Sequence, residues 1–85
     1  MKIGLSSRFI KNAKKLSQQE KDELDTRTGW FGNDPRDPRL KTHALTGQLK
    51  GYFSFSITRK KRVKFIFLEN DKILFVDVGS HDEVY

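Results

Sequence analysis

The chain has 85 residues, with 17 Lys and Arg against 11 Asp and Glu for a formal net charge of +6, seven Phe, 35% hydrophobic and 33% charged residues, and no Cys. A chain this short buries only about 60% of its unfolded surface, which limits it to one domain around one core. With no cysteine, thiol nucleophiles, disulfide staples and Cys-based zinc sites are excluded, and no apolar run is long enough to span a bilayer.

Met1-Lys2-Ile3-Gly4-Leu5 lacks the apolar h-region of a signal peptide, so a cytoplasmic protein without a membrane association is expected. Ile3 and Leu5 alternate with Gly4 and predict a short first strand. Phe9, Ala13 and Leu16 then recur at helical spacing. Ser17-Gln18-Gln19-Glu20 has the Ser-x-x-Glu form of a capping box, which starts a second helix and so predicts a helical hairpin. Leu24, Trp30 and Phe31 are its apolar anchors, and Gly29, Gly32, Asn33 and Pro35 bring it to an end. Asp34-Pro35-Arg36-Asp37-Pro38-Arg39 reads as a loop with two fixed φ angles.

From Leu45 the apolar period changes to two. Phe53, Phe55 and Ile57 alternate with Tyr52, Ser54 and Ser56, then Val63, Phe65 and Phe67 with Lys64, Ile66 and Leu68, as strands with one buried face do. The short connection from Thr58 to Arg62 makes them an antiparallel hairpin. Gly47 and Gly51, at the start of the first of these strands, fit a bulge or tight bend better than a phosphate loop. Glu69-Asn70-Asp71-Lys72 is another polar turn, and Ile73–Val78 is nearly continuous apolar, as in a strand covered on both faces, with Asp77 interrupting it. The order β-α-α-β-β-β predicts an α+β domain: a small antiparallel sheet with the N-terminal helical hairpin packed on one face.

The charge is unevenly placed. Residues 1–35 carry a net +2, residues 36–64 a net +8 and residues 65–85 a net −4. A concentrated positive field raises the local density of polyanions, which favours nucleic acid as partner, although a solvated surface has the same composition. His43, His81, Tyr85, Lys41, Lys50, Arg59, Arg62 and Asp82 together suit transesterification of RNA. Cleavage by a neighbouring 2′-OH needs a group to take its proton, cations to hold the phosphorane and an acid for the departing 5′ oxygen. Histidine titrates near neutrality and arginine grips phosphate bidentately. Three of these have a plainer explanation: His43 as a surface loop residue, Tyr85 as a packing ring, Arg62 as the partner of Asp77 or Asp82 in an ion pair. His43 and His81 lack the spacing of a helix-borne metal pair, and no metal or cofactor is expected.

Three segments carry a resemblance. Leu40-Lys41-Thr42-His43-x-Leu45-x-Gly47-x-Leu49-Lys50-Gly51-Tyr52-x-Ser54, then Arg62-Val63-x-Phe65, then Asp77-Val78-Gly79-x-His81-Asp82-Glu83-Val84-Tyr85, in that order, resemble the RelE/YoeB/YafQ superfamily of bacterial type II toxins. The resemblance implies a single RelE-like, microbial-ribonuclease-like domain over residues 1–85. It implies a toxin that enters the ribosomal A site and cleaves mRNA by 2′-OH attack without a metal. A cognate antitoxin would neutralise it, and operator DNA would be reached only through that antitoxin. Position by position, His81 matches the histidine of the C-terminal Gly-x-His motif and becomes the general acid or base, with His43 in support. Arg62 matches the arginine on the scissile phosphate, and Tyr85 the C-terminal aromatic that stacks on a base or aids proton transfer. Lys41, Lys50, Arg59, Lys60 and Lys61 would hold the RNA backbone.

Many relatives have Arg-Asp-Tyr-Arg where this chain has Arg59-Lys60-Lys61-Arg62, so a lysine replaces an aromatic and removes packing or base stacking there. Two other readings remain beside the nuclease. One is a non-catalytic binding protein on the same fold, either a diverged toxin or a poison of a protein target as in the ParE branch. The other is a generic RNA-binding domain, although such modules display aromatics on an exposed strand face and the Phe residues here read as core.

Overall fold

In the computed structural model, which describes residues 1–85, a five-stranded sheet carries two helices on one face. β1 (Lys2–Leu5) leads into α1 (Ser7–Ala13) and α2 (Gln18–Asn33). β2 (His43–Ala44), β3 (Phe53–Ser56), β4 (Lys61–Leu68) and β5 (Lys72–Ser80) follow, and α3 (His81–Val84) ends the chain. Short 3-10 turns at Pro38–Leu40 and Gly47–Leu49 flank β2. The spatial order is β1-β5-β4-β3-β2.

The meander expected from the alternation is present: β2 through β5 pair antiparallel, each with its neighbour. β1 joins them in parallel, Lys2 to Leu5 lying in register with Lys72 to Phe75, so the whole sheet is mixed. That placement makes β5 an inner strand and accounts for its nearly continuous apolar sequence. Two elements go beyond the expected order, the two-residue β2 and the terminal turn α3.

Local chemistry fixes the helices. The Ser6 hydroxyl accepts from the Phe9 N–H and donates to the Val76 carbonyl at 2.6 Å, tying the start of α1 to β5. Ser17 and Glu20 form the capping box read from the sequence, each side chain serving the other's backbone N–H. α2 then delivers Phe31, with no exposed surface, into the centre of the core. Its ring lies 4.9 to 5.4 Å from those of Phe65, Phe55 and Phe75, one strand each. Truncating such a residue to alanine removes about 3–5 kcal/mol.

The pairing of β4 with β5 shifts register between Lys64 and Phe65, skipping Val76. A bulge of this kind re-aims a side chain. Here it lets the buried Asp77 carboxylate accept from Asn12 Nδ2 at 2.7 Å and from the Val78 N–H at 2.8 Å, with Arg8 Nε at 3.4 Å. The acid that interrupts the apolar run is therefore a fully engaged tether to α1. Gly47 and Gly51 have φ of +64° and +98°, left-handed positions that open the Gly47–Leu49 3-10 segment and follow its cap, as the bend reading requires. No helix is long and apolar enough to cross a membrane.

Candidate functional site

β3 places two serines on the face turned away from Phe55 and the helices, since side chains alternate along a strand. Ser54 and Ser56 are both buried, at 0% and 7% exposure. In register, Ser54 stands between His43 of β2 and Lys64 of β4, and Ser56 faces Arg62 of β4, which faces Gly79 of β5. Each hydroxyl holds one of the residues picked out from the sequence. Ser54 Oγ bonds the Tyr85 hydroxyl at 2.5 Å, and Ser56 Oγ accepts from Arg62 Nη1 at 3.0 Å. Arg62 thus meets a hydroxyl and not Asp77 or Asp82.

Tyr85 reaches Ser54 because α3 folds back over the sheet. Ser80 caps α3 by accepting from the Glu83 N–H, and Glu83 Oε1 accepts from the Ser80 N–H at 2.8 Å, a second capping box. This bond to the Ser80 backbone, with the Ser80 hydroxyl and the charges of Lys61 and Lys15, holds the Glu83 carboxyl below the usual range. Gly79 eases the close return, since a Cβ there would lie 3.0 Å from Glu83 Oε1 and 3.2 Å from Glu83 Cβ. Val84, 1% exposed, anchors the turn from beneath.

The Tyr85 hydroxyl also lies 3.1 Å from His43 Nε2, and His43 Nδ1 lies 3.1 Å from the Lys41 carbonyl. A carbonyl only accepts, so Nδ1 carries the ring hydrogen, Nε2 accepts from Tyr85, and the Tyr85 oxygen accepts from Ser54. The result is an ordered line of donors from Ser54 through Tyr85 and His43 to the Lys41 backbone. His81 packs its ring on Tyr85, centroids 4.1 Å apart, with Nδ1 3.6 Å from Asp82 Oδ1. Its side chain is 62% exposed, so a second imidazole is open to solvent beside the tyrosine.

Arg62 forms one wall of an adjoining groove of about 310 Å³, lined by Arg27, Arg39, Lys41, Ser56, Thr58 and Arg59 as well and by no hydrophobic side chain. Its floor is rigidly built. Arg27 donates to the Arg39 and Ser56 carbonyls at 3.1 and 3.3 Å and pairs with Glu23 at 3.2 Å. Arg39 lies 3.8 Å from the Trp30 ring centroid and grips Asp37 through Nε and Nη2 at 3.1 and 2.8 Å. The Arg39 side-chain bond lowers the Asp37 pKa to about 2, and Asp37 in turn raises that of Arg39. Lys41 enters the groove from a left-handed residue, φ 54°, which closes the Pro38–Leu40 turn.

The structure therefore brings His43, His81, Tyr85, Arg62, Lys41 and Arg59 to one end of the sheet. It does not bring the other cations there. Lys50 follows the Gly47–Leu49 turn outside the groove. Lys60 sits at the hairpin tip beside Ser17, Gln19 and Glu20. Lys61 points to Glu20, Nζ to Oε2 3.9 Å, so the lysine that stands where relatives carry an aromatic faces the helical layer. Sequence reasoning missed Ser54, Ser56, Arg27 and Arg39. Ser54 lay inside the quoted motif and Arg39 inside the electropositive segment, whereas nothing in the sequence marked Arg27.

No protein-family profile matches the chain, and no curated protein sequence matches it. Solved structures do. YafQ from E. coli strain BL21(DE3) superposes with a TM-score of 0.81 at 20% identity, over 98% of this chain and 96% of YafQ. A YoeB/ParE toxin from Agrobacterium tumefaciens gives 0.80 at 15% identity over 95% and 99% of the two chains. YafQ in the E. coli DinJ-YafQ toxin-antitoxin complex gives 0.78 at 20% identity over 98% and 94%. The chain is similar to each over nearly its whole length, and its α+β architecture is the fold of the RelE/YafQ-type bacterial toxins.

Proposed function

We propose that this chain is the toxin of a type II toxin-antitoxin system, an endoribonuclease that cleaves mRNA in the ribosomal A site and is silenced by a cognate antitoxin. The observation that carries the reading is the convergence of two imidazoles on one tyrosine, His43 on its hydroxyl and His81 on its ring, beside an arginine that meets no acid. A structural core has no need of such a group, and a solvated surface does not order one. The likeness to a toxin solved together with its antitoxin supports the partner.

The chemistry follows from the hydrogen-bond directions. Ser54 and Ser56 are two residues apart on one strand, so the anchors of Tyr85 and Arg62 stand about 7 Å apart. A single phosphodiester fits between the Tyr85 hydroxyl and the Arg62 guanidinium. The attacking 2′-OH gives its proton to the Tyr85 oxygen as the Tyr85 proton passes to His43 Nε2, and the Lys41 carbonyl steadies the imidazolium that forms. The 2′ oxygen bonds to phosphorus while Arg62 holds the charge growing on the phosphorane. The His81 imidazolium, beside Asp82, protonates the 5′ oxygen as its bond to phosphorus breaks, leaving a 2′,3′-cyclic phosphate and a 5′-OH. Lys41 and Arg59 hold the backbone next to this centre, whereas Lys50, Lys60 and Lys61 lie away from it.

The test is induction of the wild-type chain and of His81→Ala in bacteria, with 5′-end mapping of ribosome-engaged mRNA. Cuts confined to A-site codons and absent in the variant are expected. Growth arrest without cuts would overturn the nuclease reading in favour of a poison that traps a protein target.

A further inference from the structure

We propose that the cationic groove beyond Arg62 is a second phosphate subsite, which takes the backbone phosphate adjacent to the phosphodiester held between Tyr85 and Arg62. This rests on the nuclease reading for the identity of the first phosphate but not for the existence of the second. Charge accounting within the groove is the first argument. Of its five cations, Arg27 and Arg39 are matched by Glu23 and Asp37, and Lys41, Arg59 and Arg62 form no ion pair. Three positive charges therefore face one concavity with nothing in the protein to balance them, an arrangement that an anion relieves.

The lining decides which anion. An acidic peptide would seek apolar contacts for its stem and neighbouring side chains, and the groove offers none. Trp30, half-buried behind the groove wall, carries the Arg39 guanidinium 3.8 Å from its ring centroid, so the face towards Arg39 is not open to a base. What remains is a set of N–H and O–H donors, the surface that reads phosphate and ribose without reading sequence. The volume of about 310 Å³ is roughly ten times the share of a water molecule and accommodates a phosphate with its sugar.

Geometry supplies the spacing. Arg62 is the wall common to both sites, donating to Ser56 at 3.0 Å. Lys41 links them from the other side, its carbonyl orienting His43 and its side chain lining the groove. A strand that places one phosphate against Tyr85 and Arg62 therefore carries its neighbour past Arg62 towards Lys41 and Arg59. The Arg39 to Asp37 fork and the Trp30 stack hold the far wall in place before any ligand arrives, so the subsite is formed in advance.

The experiment uses the isolated chain and an all-deoxy trinucleotide, which has two phosphodiesters and no 2′-OH to react. Binding is followed at low salt by chemical-shift titration of the ¹⁵N-labelled protein. Replacing either phosphodiester by a neutral methylphosphonate is expected to weaken binding by about tenfold, the loss of one charge-assisted contact. In Lys41→Gln/Arg59→Gln, both exposed positions, the penalty at one linkage should vanish while that at the other persists. The slope of log K against log salt should also become shallower by about 0.7. Both penalties persisting in the variant, or no shift of groove amides in the wild type, would overturn the subsite. So would a hexaglutamate peptide that displaces the trinucleotide, because it would assign the groove to an acidic protein partner. Absence of mRNA cuts in cells would sink the nuclease reading and leave this binding result standing.

Discussion

Tyr85→Phe tests the site through stability before chemistry is measured at all. Ser54 has no exposed surface, and the Tyr85 hydroxyl is the only side-chain partner of its Oγ. Removing that hydroxyl strands a buried O–H, at a cost of about 1–3 kcal/mol. The bond to His43 is exposed and contributes little beside it. A domain of this size loses roughly 4–8 °C of melting temperature per kcal/mol, so Tyr85→Phe should melt at least about 4 °C below wild type. Ser54→Ala leaves the half-exposed Tyr85 hydroxyl with His43 and water and should cost less. Removing both partners at once leaves nothing unpaired, and the Ser54→Ala/Tyr85→Phe double variant should recover most of the loss, with a coupling energy of about 1 kcal/mol or more. Thermal and urea melts of the four proteins complete the cycle. If Tyr85→Phe melts with the wild type, or the two losses simply add, the hydroxyl does not bridge α3 to the sheet as described. The same cycle separates folding from chemistry: mRNA cutting should stay lost in the double variant even where stability has returned.

Gly79→Ala should cost about 1–3 kcal/mol, because its Cβ would meet Glu83 Oε1 at 3.0 Å and Glu83 Cβ at 3.2 Å, so that the Glu83 side chain has to give by a few tenths of an ångström and its bond to the Ser80 N–H is disturbed; thermal melts would show this, and the ring-current shifts between His81 and Tyr85 should change in the proton NMR spectrum. The Asp37 carboxyl should titrate at about 2 by carbon NMR and return towards about 3.9 in Arg39→Ala. Because its folded pKa is depressed, the stability it contributes is complete above about pH 3.9 and is lost as pH falls through about 2. Glu83 has the same sign: its contribution to α3 is complete above its unfolded pKa of about 4.3 and disappears as pH falls through the lowered folded value. Tyr85 should therefore loosen from Ser54 in acid in the wild type, whereas Glu83→Gln should show no such transition in the amide shifts of residues 80–85.

The fold was legible wherever a local rule and the global packing agree. Alternation of Phe and Ser in β3, the Ser17 to Glu20 box and the break at Gly47 and Gly51 all use contacts within a few residues, and each appears where the sequence puts it. The parallel docking of β1 on β5 depends on partners some 70 residues apart, which no periodicity encodes. Ser80-x-x-Glu83 is another matter, since it has the same form as Ser17-x-x-Glu20 and was open to the same reading. It was hidden by the apolar strand it terminates, since Gly79 directly follows the apolar run of that strand and marks the point at which a helix turns back. That single turn decides the site. It moves Tyr85 from the end of a strand onto a buried serine, and so converts Ser54 from the polar half of an alternation into the residue that aims the tyrosine. His43 and His81 were visible as chemistry-bearing types, but their order around Tyr85 was not, because it rests on one backbone carbonyl fixing one tautomer. The groove was hardest to see. Arg27 and Arg39 lie twelve residues apart on different elements and converge only because Arg27 reaches the Arg39 carbonyl and the edge of β3. A charge count over residues 36–64 finds the positive field, and only the fold separates the cations that share a concavity from those, such as Lys61, that face a carboxylate.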